Sequence, residues 1–231
     1  MSAIETHFQQ VRDRIHAAEN ACGRAGAVKL LAVSKTKPAR LVRDAWHTGQ
    51  RDFGENYVQE GIDKIQALQD LDGLCWHFIG PLQSNKTRAV AEHFDWMHSV
   101  DRLKIAQRLN EQRPEHLPPL NICIQVNISD EDTKSGVSPE DVQTLAAEIV
   151  TLPNLKLRGL MAIPVPTDDP AAQHAAFRAM SEVLTTLQDR WPEQDLDTLS
   201  MGMSDDLEAA IAEGATMVRI GTALFGARNY S

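Results

Sequence analysis

The chain has 231 residues and is 42% hydrophobic, enough to bury one sizeable core as two small domains or as one α/β barrel. Aromatic residues are only 5%, so small and branched aliphatics must do the packing, which suits α/β layers better than an aromatic-rich β sandwich. The formal net charge is -9, and no lysine or arginine cluster exceeds a pair. That excludes a general nucleic-acid binder, but not an anionic ligand held in a local positive pocket.

Strand-like and helix-like segments then alternate along the chain. Residues 2–22 read as a helix with Ile4, Phe8, Val11 and Ile15 on one stripe. "KLLAVSK" is a short apolar strand. Pro38 then opens a helix from its first turn, and Gly49 closes it. "DFGEN" is a strand followed by a helix to about Leu71. "WHFIG" leads to a helix near 85–92, and "DWMHSVD" to one from about Arg102 to Arg113. "LNICIQVNI" is the clearest strand. Ser138, Pro139 and Asp141 then supply a cap, a first-turn proline and a capping-box acid. "LKLRGLMAI" is a strand, and Asp169 and Pro170 start a long helix ending by Pro192. "DTLSMG" and "TMVRIG" are strands around a helix in "SDDLEAAIAEG" capped by Ser204, and "TALFGA" is a last short turn of helix.

Eight strand candidates, each followed by helical sequence and apolar on both faces, predict a closed (β/α)8 barrel of the TIM type with an additional N-terminal helix. A doubly wound open sheet is the alternative, and the absence of GxGxxG weighs against it. With no repeat, low-complexity stretch or long linker, residues 1–231 are read as a single domain.

Cys22, Cys75 and Cys123 are odd in number, far apart and outside any CxxC, so reduced, buried thiols are expected and no disulfide framework or zinc site. The eight histidines contain no HExxH, and no structural metal is expected. The N-terminus is polar, and no apolar run approaches the roughly 20 residues of a spanning helix. A cytoplasmic protein without targeting segment or membrane span is expected.

Sites in such barrels lie at the C-terminal ends of the strands. Lys35 shares a side with Leu31 and Val33 at the end of the first strand. In an apolar mouth its pKa would fall, leaving free amine for a Schiff base with an aldehyde. A lysine that snorkels to solvent fits the same pattern. Arg219, between Val218 and Ile220, alternates to the interior, where a guanidinium needs a partner. Gly221 and Thr222 open a short helix, and Ser200 and Gly202 form a second small turn after the preceding strand. Two adjacent turns of this kind are where this barrel binds phosphate, and each alone is also ordinary βα turn chemistry. Asn56, a ligand for a hydroxyl or a helix-start cap, Asn127 and Met161 mark other strand ends, while His77 reads as a satisfied core histidine. An amine, an arginine and a phosphate cradle together suit a phosphorylated aldehyde, and pyridoxal phosphate is the obvious candidate.

"LLAVSKTKP", "FGENYVQE", "WHFIGPLQSNK", "LRGLMAI" and "SMGMSDDLEAAIAEGATMVRIGTALFG" resemble the pyridoxal phosphate homeostasis family over nearly the whole chain. The resemblance implies the alanine-racemase-type barrel of fold type III. It implies that Lys35 carries pyridoxal 5'-phosphate as a covalent aldimine, and that Ser200, Gly221 and Thr222 cradle its phosphate. Arg219 would face the pyridine nitrogen, and Asn56 and Met161 would line the cofactor. Lys37 is either a second amine or a solvated helix-start lysine, and the family loop "DTKSG" (132–136) carries no assigned role. An arginine keeps its proton, so the ring nitrogen would stay unprotonated and the cofactor would be a weak electron sink.

A racemase of this fold also needs a second acid/base, which alanine racemases draw as a tyrosine from an additional domain and the partner subunit. The chain ends at Ser231, leaving no such domain. Its two tyrosines are Tyr57, early in a helix, and Tyr230 in the tail. The reading is therefore a monomeric, non-catalytic protein that holds and buffers pyridoxal phosphate and delivers it to apoenzymes. A weakly active amino-acid racemase is the main alternative, and a Schiff-base aldolase using Lys35 without cofactor is the third.

Overall fold

The computed structural model describes residues 1–132 and 135–227. Eight parallel strands close into a barrel in chain order: β1 (Lys29–Val33), β2 (Asp52–Glu55), β3 (Cys75–Phe78), β4 (Trp96–Val100), β5 (Leu120–Gln125), β6 (Leu155–Met161), β7 (Thr198–Ser200) and β8 (Met217–Ile220). The β8–β1 seam sets Leu31 level with Arg219 and Ala32 with Ile220. Alternation along each strand then sorts the side chains. Leu30, Ala32, Val218 and Ile220 join the large core between sheet and helices. The barrel interior instead holds two small apolar clusters, Leu31, Ile79 and Met217 in one and Trp96, Cys123 and Met161 in the other.

The helices follow as α1 (Ala3–Ala21), α2 (Ala39–His47), α3 (Val58–Ala67), α4 (Thr87–His93), α5 (Leu103–Gln112), α6 (Val142–Ile149), α7 (Pro170–Arg190), α8 (Leu207–Ala212) and α9 (Thr222–Phe225). Among the described residues no helix is long and apolar enough to cross a membrane. The extra helix α1 opens with a complete capping box: Glu5 N–H donates to Ser2 Oγ, and Ser2 N–H to Glu5 Oε2. It buries Phe8, Val11 and Ile15 across the β8–β1 side, with Phe8 edge-on to Phe225 at 5.8 Å.

Several boundaries differ from the sequence reading. Pro38 sits at the N-cap of α2 and not inside its first turn. α3 stops at Ala67, because the chain turns at buried Leu68 and Leu71 N–H bonds back to Leu68 O. Ser138 Oγ bonds the Asp141 carboxylate and caps no backbone N–H, and Asp141 N–H closes on Ser138 O at 3.0 Å, making Pro139–Asp141 a 3-10 turn ahead of α6. α8 starts at Leu207 with Asp206, not Ser204, at its N-cap position.

Gly159 decides the local path of β6. A Cβ there would lie 1.8 Å from Thr198 O, so only glycine lets β7 pair this closely. The β5–β6 register shifts at the same place, between Ile122 and Cys123.

Candidate functional site

A cleft of about 630 Å³ opens at the C-terminal mouth of the barrel, with Lys35, Asn56, Ser204, Arg219, Gly221 and Thr222 on its wall. The structure thus brings together five of the seven residues expected from sequence. Ser200 and Met161 are not on this wall. Ser200 is fully buried one level below, where its hydroxyl accepts from Arg219 Nη1 at 2.7 Å. Met161 is 1% exposed and packs inside the barrel with Trp96 and Cys123. From the β7–α8 loop it is Ser204 that lines the cleft. Asp206 Oδ1 accepts from Met203 N–H at 2.7 Å, which folds the loop, and Ser204 shares the cleft wall with Gly221 and Thr222.

Lys35 follows β1 on a tight turn. Ser34 N–H pairs with Gly54 O at 3.0 Å, and Lys37 N–H closes the turn on Ser34 O at 3.1 Å. Thr36 stands at φ +64°, a left-handed conformation that costs a β-branched residue about 1–3 kcal/mol. Buried charge below holds the turn in place. Lys64 Nζ donates to Ser34 O (2.6 Å), Glu55 Oε1 (2.6 Å) and Glu60 Oε1 (2.8 Å), while Ser34 Oγ donates to Glu55 Oε1 at 2.7 Å. Glu60 also accepts from Thr36 N–H. Burial pushes the Glu55 carboxyl above its usual range, with Lys64 and Ser34 acting against it. Lys37 points elsewhere and donates to Ala227 O at 2.7 Å.

Arg219 is 4% exposed and has no carboxylate within ion-pair distance among the described residues. Its Nη2 donates to Ala162 O at 2.9 Å. Burial draws its pKa down to about 10, with the charge of Asp206 acting the other way. Asn56 Oδ1 is a buried acceptor without a partner in the cleft wall. An incoming hydroxyl or N–H would satisfy it. Gly80 lets the next loop press against Asn56, since a Cβ at Gly80 would lie 2.3 Å from Asn56 O. A lysine amine, an orphaned acceptor, a buried guanidinium and a cradle of small hydroxyl-bearing residues fit an anionic aromatic aldehyde.

Sequence reasoning did not assign roles to Asp52, Glu55, Lys64 or His98. His77 is a fully buried, satisfied histidine, bonded to Asp52 and His98. Asp52, Cys75 and His77 bring donor atoms within 4.8 Å of one another. Tyr57 is 52% exposed at the start of α3, off the cleft wall, and Tyr230 lies outside the described residues, as do residues 133–134 of the "DTKSG" loop.

The family whose sequence pattern matches this barrel, over residues 6–229, is described as alanine racemase, N-terminal domain. The pyridoxal phosphate homeostasis protein of Pseudomonas aeruginosa is 64% identical over 231 residues, covering 100% of this chain and 98% of that protein. The protein of the same description from Escherichia coli K12 is 59% identical over 234 residues, covering 100% and 99%. Among solved structures, PipY of Synechococcus elongatus PCC7942 with PLP bound is 39% identical with a TM-score of 0.85, covering 96% of this chain and 100% of that one. An alanine racemase of Clostridium difficile 630, 19% identical with a TM-score of 0.67, covers 95% of this chain and 58% of that one, and shares the fold. The chain belongs to the family of the pyridoxal phosphate homeostasis proteins.

Proposed function

We propose that this chain binds pyridoxal 5'-phosphate reversibly at the C-terminal mouth, buffers it as a monomer in the cytoplasm, and releases it to apoenzymes without turning over a substrate of its own. The observation that carries the reading is the convergence of Lys35, Asn56, Arg219, Gly221 and Thr222 on one cleft. Lys35 would hold the aldehyde end through its amine, and the cofactor's carbonyl would supply a reversible attachment that releases water when made and takes it up again when undone. Gly221, Thr222 and Ser204 would hold the phosphate, and Asn56 would meet a polar group of the ring. Arg219 would face the pyridine nitrogen and, keeping its proton, would leave that nitrogen unprotonated. When bound, the cofactor supplies an electron sink, which this pairing keeps weak. The described tyrosine, Tyr57, does not supply a second acid/base on the cleft wall, which argues against racemisation.

The test is absorbance with added pyridoxal phosphate before and after borohydride, with the reduced adduct mapped by peptide mass. An aldimine band lost on reduction, with the adduct on Lys35 and none in a folded Lys35→Ala variant, is the expected result. An adduct elsewhere, undiminished in Lys35→Ala, overturns the assignment. Chiral chromatography of amino acids incubated with the loaded protein separates carrier from racemase: no inversion is expected, and interconversion of one amino acid's enantiomers would make the chain an enzyme.

A further inference from the structure

An unbroken line of hydrogen bonds runs from the cleft to the opposite mouth of the barrel. Arg219 Nη1 donates to Ser200 Oγ at 2.7 Å. Ser200 Oγ is 2.9 Å from His98 Nδ1, His98 Nε2 is 2.9 Å from His77 Nδ1, and His77 Nε2 is 2.9 Å from Asp52 Oδ1. The five residues come from five strands, β8, β7, β4, β3 and β2. The barrel interior also holds the two small apolar clusters. Ser200, His98 and His77 are all fully buried. Apolar side chains would fill that space at lower desolvation cost, so a polar column here asks for a role beyond packing.

The line has one sense. Asp52 begins β2 at the N-terminal mouth. Burial raises its pKa, but the hydrogen bond from His77 and the charge of Lys29 act against that, and Asp52 lies below the usual aspartate value. It is therefore an acceptor, and the hydrogen it receives sits on His77 Nε2. A neutral His77 then accepts at Nδ1, so His98 must donate from Nε2 and accept at Nδ1. The Ser200 hydroxyl hydrogen is thereby drawn to His98, and the oxygen's lone pairs are left for Arg219. Burial holds both imidazoles below their ordinary pKa, which favours the neutral form this chain needs. The charged groups acting on it are Lys29 of β1, 3.6 Å from Asp52, then Asp95 ahead of β4, and Arg219 itself. The thiol of Cys75 lies 3.5 Å from His77 Nε2.

We propose that Asp52, His77, His98 and Ser200 are positioning residues, forming a one-way relay that fixes the guanidinium plane of Arg219 and couples a carboxylate at the N-terminal mouth to the cofactor site at the other. With Nη1 held by Ser200 and Nη2 by Ala162 O, the remaining N–H groups are the ones available to the cleft. No proton needs to travel; each bond polarises the next. The effect on the bound ring rests on the reading of Arg219 given above, whereas the relay itself is a property of the empty protein.

The test uses the full chain labelled with 15N in histidine and arginine, without ligand. Long-range 1H–15N spectra, assigned with His77→Gln and His98→Gln, should show both rings neutral and protonated at Nε2 at pH 7. The Arg219 Nε–H resonance should move in Asp52→Ala and return toward wild type in Asp52→Asn, which restores an acceptor. Either ring protonated at Nδ1 or charged, or an Arg219 resonance indifferent to Asp52→Ala, overturns the relay. On loading with pyridoxal phosphate, Asp52→Ala should shift the bound absorption band and weaken binding about fivefold, the weight of one buried hydrogen bond. A loaded band and affinity equal to wild type would overturn the coupling to the cofactor. If wild-type protein takes up no pyridoxal phosphate, the functional reading fails, and the relay is still decided by the ligand-free spectra.

Discussion

Lys64 and Glu55 hold the turn that carries Lys35, and they are among the most deeply buried ionisable groups in the chain, with side chains 6% and 0% exposed. Replacing Lys64 by Met would leave the Glu55 carboxylate in the interior with only the Ser34 hydroxyl. Breaking a buried pair from one side costs about 3–5 kcal/mol, because the remaining charge is uncompensated. Lys64→Met should therefore lower the urea unfolding free energy by about 3 kcal/mol, and the double variant Glu55→Gln/Lys64→Met should recover more than half of that. Equal stability of the single and double variants would show that the pair is not what holds the turn. A second residue-scale prediction separates the two serines. Ser204 stands on the cleft wall beside Gly221 and Thr222, whereas Ser200 lies under Arg219. Ser204→Ala should weaken pyridoxal phosphate about tenfold, the scale of a hydrogen bond to a charged group, and leave pyridoxal without its phosphate unaffected. Titration of both ligands against Ser204→Ala and Ser200→Ala checks this, and a phosphate-specific loss in Ser200→Ala alone would return the cradle to the serine suggested by the sequence.

At the level of elements, the path of β6 beside β7 depends on Gly159. Gly159→Ala places a methyl group where Thr198 O now lies, so β7 must move or its pairing must break. Overpacking of this kind costs about 1–3 kcal/mol, and loss of ladder bonds adds to it. A loss of at least about 3 kcal/mol in urea unfolding is expected, and a variant as stable as wild type would mean that the strands separate freely here. Gly159 also shows what the sequence could and could not convey. Short, near-continuous apolar runs alternating with helical sequence made the eight strands readable, because a parallel strand is buried on both faces. Lys35 and Arg219 were readable for the same reason: each breaks an apolar run at a strand end or interior. Helix ends were less so, since Ser204 has the chemistry of a cap, yet Asp206 two residues on takes the Met203 N–H. Ser200 was placed in the phosphate cradle because strand-end polarity does not say how far a side chain sits below the rim. His98 carried a visible signal, alternating with Trp96 to the interior. Its meeting with His77 depends on the β3–β4 register, which pairs His77 with Trp96 and is not written in either strand alone.

For the molecule as a whole, the polar column makes the barrel sensitive to acid. His77 and His98 are held below their ordinary pKa by burial, His98 well below. The unfolded chain titrates histidine near 6.5, so below that pH it binds up to two protons that the folded barrel refuses. Stability therefore rises with pH up to about 6.5 and is lost as pH falls from there toward the folded-state values, at about 1.4 kcal/mol per pH unit for each proton. Glu55 runs the other way: its raised pKa lets the folded state take up a proton before the unfolded state does, which offsets part of the slope just above its ordinary value. Asp52, lowered in the fold, adds its own loss only nearer pH 4 and below. Urea unfolding at pH 7, 6 and 5 should show a decline of between one and two protons' worth, and His98→Gln should remove close to one proton from it. A flat profile across that range, or an unchanged slope in His98→Gln, would mean that the two rings charge inside the folded barrel. The groups that orient Arg219 are the same groups that set this acid limit. Because the folded barrel keeps both rings neutral while stability falls, the hold on Arg219 should persist over that pH range: the loaded absorption band should not shift between pH 7 and 5 in protein that remains folded, and a shift that tracks the stability loss would mean that the rings take up protons in the fold.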